Sequence, residues 1–140
     1  MDTRSPAQVY ALVFGVVLTV AGIIGFFWSA SFGSPGDVDA VLGILDVNAW
    51  HNLVHVATGL LGLAAVGSYA SSRGYAVGLG LVYVVVAIWG FIIGDGESIL
   101  GFIPVNSEDN VLHVLIGIAG LGAYAATPAG PAPSTVAPAP

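Results

Sequence analysis

The chain has 140 residues, of which 56% are hydrophobic and only 7% charged, and its formal net charge is −6. This composition excludes an ordinary soluble domain and favours a membrane protein, while the acidic balance argues against nucleic-acid binding. The sequence contains no cysteine and no lysine, so disulfides, thiol chemistry, a retinal Schiff base and a P-loop are also excluded.

Four apolar segments predict an all-α membrane protein, a bundle of four transmembrane helices. The segments cover residues 9–28, 50–69, 75–94 and 110–127. A helix of about 20 residues is about 30 Å long, which matches the hydrocarbon core of a bilayer. Residues 1–127 are therefore predicted to form one domain surrounded by lipid. Residues 128–140 are rich in proline and alanine and are predicted to be a disordered tail.

The two arginines predict how these spans are oriented. Arg4 precedes the first span, and Arg73 falls in the turn predicted between the second and third spans. The positive-inside rule places such residues on the cytoplasmic side. We therefore expect a multi-pass protein of the plasma membrane with both of its ends in the cytoplasm.

The two segments on the opposite side are acidic and contain short apolar stretches with a central glycine. Interfacial turns are predicted there, over residues 38–45 and 98–103. Asn48 and Asn106 come after these turns and immediately before apolar spans. Asparagine is among the most favourable N-cap residues, so both are predicted to cap the helices that follow.

An internal repeat relates the two halves of the chain. At an offset of 58 (113 − 55), residues 36–63 align with residues 94–121 without a gap, and twelve of the 28 positions are identical. The first and third spans match more weakly, through one Gly-Phe pair in each. Two copies of a two-span unit run in the same direction, which predicts a pseudo-twofold axis along the membrane normal. The second and fourth spans are expected to lie near that axis.

Each of these two matching spans carries Asn, His, Gly and Gly at spacings of three, four and three, which places all four on one helix face. The residues are Asn52, His55, Gly59 and Gly62 in the second span and Asn110, His113, Gly117 and Gly120 in the fourth. The glycines leave a shallow groove. Either a neighbouring helix backbone or a flat cofactor fits such a groove, and the sequence leaves both alternatives open.

The histidine layer has three interpretations. In the first, its polar side chains join the helices by hydrogen bonds, and the protein is a structural or interaction component, as a homo-oligomer or as a subunit of a membrane complex. In the second, His55 and His113 are axial ligands of a b-type haem in electron transfer. The four glycines would then accommodate the porphyrin, and Asn52 and Asn110 would support the ligands.

The third interpretation is a transition-metal site. His51 and His55 are four residues apart on a helix and can chelate one ion, with His113 as the third ligand and Asp109 as a further candidate. His51 has no histidine counterpart in the repeat, because Asp109 occupies the aligned position. The spans contain no nucleophile with an adjacent base, so hydrolysis and group transfer are not predicted, and a non-enzymatic role is favoured.

The motif His51-Asn52-x-x-His55-x-x-x-Gly59, preceded by Asn48 and repeated in part at Asn110, His113 and Gly117, resembles that of a bacterial four-span membrane family. The family belongs to the series of domains of unknown function and has the number 4383. Gly22-Ile23-Ile24-Gly25-Phe26 in the first span supports the resemblance, which covers residues 4–127. It implies a multi-pass plasma-membrane protein and no established activity.

Overall fold

The computed structural model describes residues 4–33 and 38–130, and over these ranges the chain forms four α-helices and two β-hairpins. In chain order the elements are α1 (Pro6–Gly25), β1 (Asp39–Val41), β2 (Leu45–Val47), α2 (Ala49–Ala65), α3 (Tyr69–Ile93), β3 (Ser98–Ile99), β4 (Ile103–Pro104) and α4 (Ser107–Ala125). The protein is therefore mostly helical. Most of the tail predicted for residues 128–140 lies outside the described residues.

The helices begin where side chains can satisfy their first amides. Ser5 and Gln8 form a capping box at the start of α1, and Pro6 occupies the first helical position, where no amide hydrogen is needed. Asn48 accepts a hydrogen bond from the His51 amide at the start of α2. The predicted N-cap at Asn106 is confirmed in the same way at the start of α4.

The turn between α2 and α3 lies at residues 66–68, so the prediction of a turn around Arg73 was wrong. Ser68 caps α3 by accepting a hydrogen bond from the Ser71 amide, and Ser72 donates its hydroxyl to the Ala65 carbonyl. The serines and glycine near Arg73 suggest a break in the sequence, but the Ser68 cap lets the helix begin earlier. Arg73 lies inside α3, stacked 4.1 Å from the ring centroid of Tyr124.

The two β-hairpins lie where short interfacial turns were predicted, over residues 38–45 and 98–103. In both, the strands are antiparallel, with Asp39 opposite Val47 in the first and Ser98 opposite Pro104 in the second. Leu42 and Leu100 have the same φ of 55°, and each is followed by a glycine with positive φ. The repeat is thus preserved in the backbone of the turns, including a conformation that side chains other than glycine seldom adopt.

Glycines bring the two helices of each half into close contact. A Cβ on Gly15 would lie 2.8 Å from the Leu63 amide nitrogen, and a Cβ on Gly80 would lie 3.0 Å from the nitrogen of Leu121. Both distances are too short for an ordinary contact. The backbones of α1 and α2, and those of α3 and α4, therefore pack in a way that requires glycine, as is common between helices in lipid.

Reciprocal hydrogen bonds between the hairpins and the helix caps join the two halves. The Asn48 Nδ2 donates to the Phe102 carbonyl at 2.6 Å, and the Asn106 Nδ2 donates to the Ile44 carbonyl at 2.7 Å. The two donors are 58 residues apart in the chain, and so are the two acceptors, which is the offset of the repeat. Each half therefore contacts the other through equivalent positions, which is the pattern of a twofold relationship.

A second reciprocal pair lies deeper in the helices. The Tyr10 hydroxyl of α1 donates to the Ile116 carbonyl at 3.0 Å, and the Tyr75 hydroxyl of α3 donates to the Thr58 carbonyl at 3.1 Å. The acceptors again differ by 58, whereas the donors differ by 65. The weak similarity between the first and third spans is therefore a true structural equivalence with a shift of seven residues.

The centre of the bundle lies between α1 and α3, and not between α2 and α4 as predicted. A buried apolar cluster is formed by these two helices, with Ala7, Tyr10, Leu18, Ala76, Leu79 and Tyr83 as its members. The matching stripes on α2 and α4 consist of small and polar residues and supply little apolar volume. Burial of large side chains therefore draws α1 and α3 together, and α2 and α4 meet mainly through their histidines near the hairpins.

The outward surfaces of the helices are strongly apolar. α1 and α3 are each long and apolar enough to cross a membrane, by length and composition. α2 has 17 residues, and α4 contains two acidic residues in its first turn. Large apolar side chains nevertheless face outward on all four helices, as illustrated by Val17, Leu61, Ile92 and Leu115, which are 47%, 63%, 77% and 58% exposed.

Candidate metal centre

His51 is held in place by the residues that begin α2. The Asn48 side chain accepts a hydrogen bond from the His51 amide at 2.9 Å, and the His51 Nδ1 lies 2.8 Å from the carbonyl oxygen of Asp46. A carbonyl oxygen only accepts, so the hydrogen in this bond belongs to Nδ1. The lone pair of the neutral ring is then on Nε2, on the other side of the imidazole.

His55 and His113 complete a cluster of three imidazoles. His55 lies one turn after His51 on the same face of α2, with ring centroids 4.5 Å apart. His113 comes from α4, and its ring centroid is 6.0 Å from that of His51 and 6.3 Å from that of His55. His51 and His113 are buried. The structure therefore brings together all three of the histidines singled out in the sequence.

The spacing of these side chains suits one shared ion. One nitrogen atom from each ring can be chosen so that all three lie within 4.8 Å of one another. Donors to a single zinc ion, at about 2.0–2.1 Å each, lie no more than about 4.2 Å apart. Small ring rotations would therefore bring the three nitrogens to coordination distance. The His51 bond to a backbone carbonyl is also the usual way in which proteins orient a metal-binding imidazole.

The Nδ1 atom of His113 is buried, and no hydrogen bond reaches it from the described part of the chain. Leaving a buried polar atom without a partner costs about 1–3 kcal/mol. This ring therefore lacks the interhelical hydrogen bond that a purely structural role would provide. A buried ring nitrogen without a partner, on an imidazole that lies near two others, is instead consistent with a place for a ligand.

Asp109 occupies the position equivalent to His51, but it forms hydrogen bonds with backbone amides and lies outside the histidine cluster. Its Oδ2 accepts hydrogen bonds from the backbone amides of Asp46 at 3.0 Å and Asn106 at 3.4 Å. Asp109 thus joins the cap of α4 to the end of β2, and it is not part of the three-histidine group. Partial burial raises the pKa of the nearby Asp46 carboxyl above its usual range, and a hydrogen bond from Asn106 offsets part of this effect.

A small cavity adjoins the three imidazoles. Its volume is about 70 Å³, and besides the histidines it is lined by α2, by α3 and by the second hairpin, through Val54, Thr58, Val82, Tyr83, Val86, Ile99, Ile103 and Val105. Apart from the histidines, Thr58 and Tyr83, the lining is aliphatic. The cluster therefore borders a pocket of low polarity with room for an ion and one or two small molecules, since a water molecule occupies about 30 Å³.

A family model described as Domain of unknown function (DUF4383) matches residues 8–126. The chain belongs to this family. The match includes all three histidines and confirms the family resemblance drawn from the motif between His51 and Gly59. No curated protein and no solved structure matches the chain. Membership of DUF4383 supplies no activity, and the geometry of the site is the remaining guide to function.

The predicted glycine groove of this DUF4383 protein is filled by neighbouring helices. Gly59 packs against Thr19 and Gly15 of α1, and Gly117 packs against Val84 and Gly80 of α3. The other two glycines of the stripes meet tyrosine hydroxyl groups, with Gly62 against Tyr75 and Gly120 against Tyr10. Of the two alternatives left open by the sequence, helix packing is therefore the one observed.

Asn52 and Asn110 also lie at the contacts between helices. Asn52 donates from Nδ2 to the Ser29 carbonyl at 2.9 Å, and its amide packs directly on Gly25 of α1. Asn110 packs in the same way on Gly90 of α3. Neither asparagine lines the cavity beside the histidines. Their position indicates a role in helix packing, and gives no support to a role behind the ligands.

Sequence reasoning missed Tyr83 as a member of this site in the DUF4383 chain. Its ring is perpendicular to that of His113, with centroids 5.0 Å apart, and it is only 4% exposed. With the offset of 65 that relates α1 to α3, Tyr83 aligns with Leu18. A hydroxyl group at a position where the other half has an aliphatic side chain was the signal that could have identified it.

Proposed function

We propose that this protein is a small four-span membrane protein that binds one transition-metal ion through His51, His55 and His113. The proposal rests on one observation, the convergence of three imidazole nitrogens within 4.8 Å of one another. The Asp46 carbonyl, which fixes the His51 ring, supports it. So does the buried Nδ1 of His113, which lacks a hydrogen bond within the described residues.

The chemistry of the donors restricts the choice of metal. Neutral imidazole suits zinc, copper, iron and nickel, whereas calcium and magnesium prefer oxygen ligands. The chain has no cysteine, so no thiolate can take part. Three protein ligands leave a fourth position free, which is the arrangement of zinc and copper sites that bind a small molecule. We therefore favour an ion with nitrogen ligands, zinc or copper, over an iron–sulfur or calcium site.

A b-type haem is less well supported by the same geometry. Pockets for organic cofactors usually measure about 300–1,000 Å³, whereas the cavity at the histidines is about 70 Å³. The glycines expected to accommodate a porphyrin contact neighbouring helices instead. A structural role without any ion is the remaining alternative. It is disfavoured because the rings of His55 and His113 lie near each other, with centroids 6.3 Å apart, and the His113 Nδ1 has no hydrogen bond within the described residues.

Cobalt provides a direct test, because Co²⁺ accepts the same ligands as Zn²⁺ and absorbs visible light. The full chain would be purified in detergent, stripped of metal and titrated with Co²⁺. We expect one ion per chain and a tetrahedral spectrum. His51→Ala, His55→Ala and His113→Ala should each lower the affinity for Co²⁺ by about 100-fold or more, since even residues that only orient a ligand affect affinity 10–100-fold.

Glu108→Gln is the matched control, because Glu108 is an exposed acidic residue in the first turn of α4, the helix that carries His113. Its affinity for Co²⁺ should stay within about twofold of the wild-type value, as expected for a surface substitution. Helix content and melting temperature of each variant would be measured without metal, to separate loss of a ligand from loss of the fold. A wild-type protein that binds neither Co²⁺ nor Zn²⁺ nor Cu²⁺ would overturn the proposal.

The membrane topology is part of this proposal. We infer four crossings with both ends cytoplasmic, because α2 and α4 present apolar side chains outward as α1 and α3 do. A helix of 17 residues is about 26 Å long, close to the hydrocarbon thickness. The chain has no natural cysteine, so single cysteines can report the sides. Asp39→Cys should react with an impermeant maleimide on intact cells, and Ser71→Cys should react only after permeabilisation; the reverse pattern would contradict this orientation.

A further inference from the structure

Two side chains that line the cavity carry a hydroxyl group, Thr58 and Tyr83, and the Tyr83 hydroxyl is the one without a hydrogen-bond partner among the described residues. Thr58, the other hydroxyl of the lining, donates to the Val54 carbonyl at 2.7 Å. The Tyr83 hydroxyl is buried, and among the described residues no group lies in good hydrogen-bonding geometry with it; its interaction with the Thr58 side chain is only a weak one. A buried hydroxyl without a hydrogen-bond partner is unfavourable.

The repeat shows that the fold itself has no need of this hydroxyl. The equivalent position in the first half is Leu18, which is only 2% exposed and packs in the same apolar cluster as Tyr83. The neighbouring tyrosines differ in this respect, because Tyr10 and Tyr75 are equivalent and both donate to a backbone carbonyl. The hydroxyl of Tyr83 therefore has no equivalent in the first half, and it borders the same cavity as His51.

Resting on the metal site proposed above, we propose that the Tyr83 hydroxyl donates a hydrogen bond to a small ligand in the fourth position of the ion, a water molecule or a small anion. Three histidines leave that position open. The cavity of about 70 Å³ that Tyr83 shares with the histidines has room for the ion and such a ligand. Tyr83 is thus a positioning residue that selects an acceptor atom on the bound molecule.

The apolar lining determines which ligands fit. Aliphatic side chains from α2, α3 and the second hairpin surround the space, and in the described chain the three-histidine group itself contains no carboxylate. A divalent ion with three neutral imidazoles keeps its charge of +2, which is unfavourable in surroundings of low polarity. A small anion would lower that charge and accept the hydrogen bond of Tyr83. Hydroxide, azide and similar ions of one to three atoms meet both conditions.

Azide binding to the Co²⁺-loaded full chain tests this inference. Azide added to the wild-type protein should shift the visible spectrum of Co²⁺ in a saturable way. Tyr83→Phe removes only the oxygen. It should weaken azide binding about tenfold or more, because the anion loses a hydrogen bond, while changing Co²⁺ affinity by less than about threefold. Tyr83→Leu, which copies the first half, should give the same result.

Tyr75→Phe is the matched control on the same helix. It removes the bond to the Thr58 carbonyl and should lower the melting temperature without altering azide affinity. In wild-type protein, azide should also perturb the near-ultraviolet absorption of tyrosine, and Tyr83→Phe should abolish that signal.

Failure to bind Co²⁺ in the wild type would overturn the metal site itself. Normal Co²⁺ binding with no azide effect, equal azide affinity in both Tyr83 variants and the wild type, or no tyrosine perturbation would each overturn the role of Tyr83 alone. A Tyr83→Phe variant that folds but no longer binds Co²⁺ would also overturn it, by making Tyr83 a direct ligand.

Discussion

In the first half of the chain, the position that begins the histidine face of α2 is His51, and the matching position in α4 of the second half is Asp109. In α1, Leu18 packs in the apolar cluster at the centre of the bundle, and its counterpart in α3 is Tyr83. Around these two differences, the caps at Asn48 and Asn106, the glycine contacts and the tyrosine hydrogen bonds recur in both halves.

This comparison separates scaffold from site. Contacts that occur twice hold helices and hairpins together, and they need the same residue in each half. Residues that occur once are free of that requirement, and His51 and Tyr83 both border the same cavity. In a duplicated fold, each half therefore shows how an equivalent position packs with a different residue: Asp109 in place of His51, and Leu18 in place of Tyr83.

The largest effect on stability is expected when residue 109 is replaced by histidine, the residue at the equivalent position 51. Asp109→His removes the carboxylate oxygen that accepts from the Asp46 and Asn106 amides, leaving two amides without their partner. We expect a loss of about 2–4 kcal/mol of unfolding free energy, measured by denaturant titration in detergent. Co²⁺ stoichiometry should remain one per chain, since the new imidazole would point to the hairpin.

Glu108→His places the same side chain one residue earlier at an exposed site, and should change stability by less than about 0.5 kcal/mol. If Asp109→His binds a second Co²⁺ ion, or is as stable as Glu108→His, positions 51 and 109 are more alike than their contacts indicate.

A smaller effect is expected where the halves agree. Gly25 and Gly90 pack directly on the amides of Asn52 and Asn110, so a methyl group at either position would overlap an asparagine side chain. Gly25→Ala and Gly90→Ala should each lower the unfolding free energy by about 1–3 kcal/mol, as overpacking does. Gly78→Ala, on the open side of α3, should be neutral or stabilising. Losses that differ between Gly25 and Gly90 by more than about 1 kcal/mol would argue against equivalent packing.

The smallest effect concerns Asp46, whose repeat counterpart is Pro104. Burial raises the pKa of Asp46 in the folded protein, so the folded state holds this proton more tightly than the unfolded state. Stability from this group is present below the unfolded pKa, about 3.9, and is lost as pH rises through the higher folded pKa. Asp46→Asn should therefore gain stability relative to the wild type between pH 4 and pH 7.

Asp39→Asn is the comparison for this measurement, since Asp39 is an exposed acid of the same hairpin. Its stability relative to the wild type should stay the same at both pH values. If the stability of Asp46→Asn relative to the wild type also stays the same between pH 4 and pH 7, the Asp46 carboxyl is solvated as fully in the folded protein as in the unfolded chain.

The sequence predicted the helices and the repeat well, because apolar runs, asparagine caps and a fixed offset are local or periodic signals. It failed at Arg73, where small polar residues are equally compatible with a turn and with the first turns of a capped helix. It also placed α2 and α4 at the centre of the bundle. Polar and glycine stripes look like an interior face in sequence, but the bulky Leu18 and Tyr83 of α1 and α3 fill the interior.

At the site, the spacing of His51 and His55 and their repeat partner His113 were sufficient to predict a shared layer. The role of Asp109 was not predictable, because it depends on the amide of Asp46, 63 residues away in the chain. Tyr83 was missed for the same reason. Its proximity to His113 arises from how α3 packs against α4, and a single tyrosine in an apolar span usually indicates only a buried or interfacial aromatic residue.

The two backbone hydrogen bonds of Asp46 have a consequence for how the protein matures. The Asp46 residue is bound at its carbonyl by His51 and at its amide by Asp109, so the orientation of an imidazole in the first half depends on a helix synthesised last. A chain that has left the ribosome only as far as α3 holds two histidines without their final alignment and without the third. At the metal site proposed above, binding of the ion would then follow synthesis of α4, and chains that lack α4 are expected to bind it weakly.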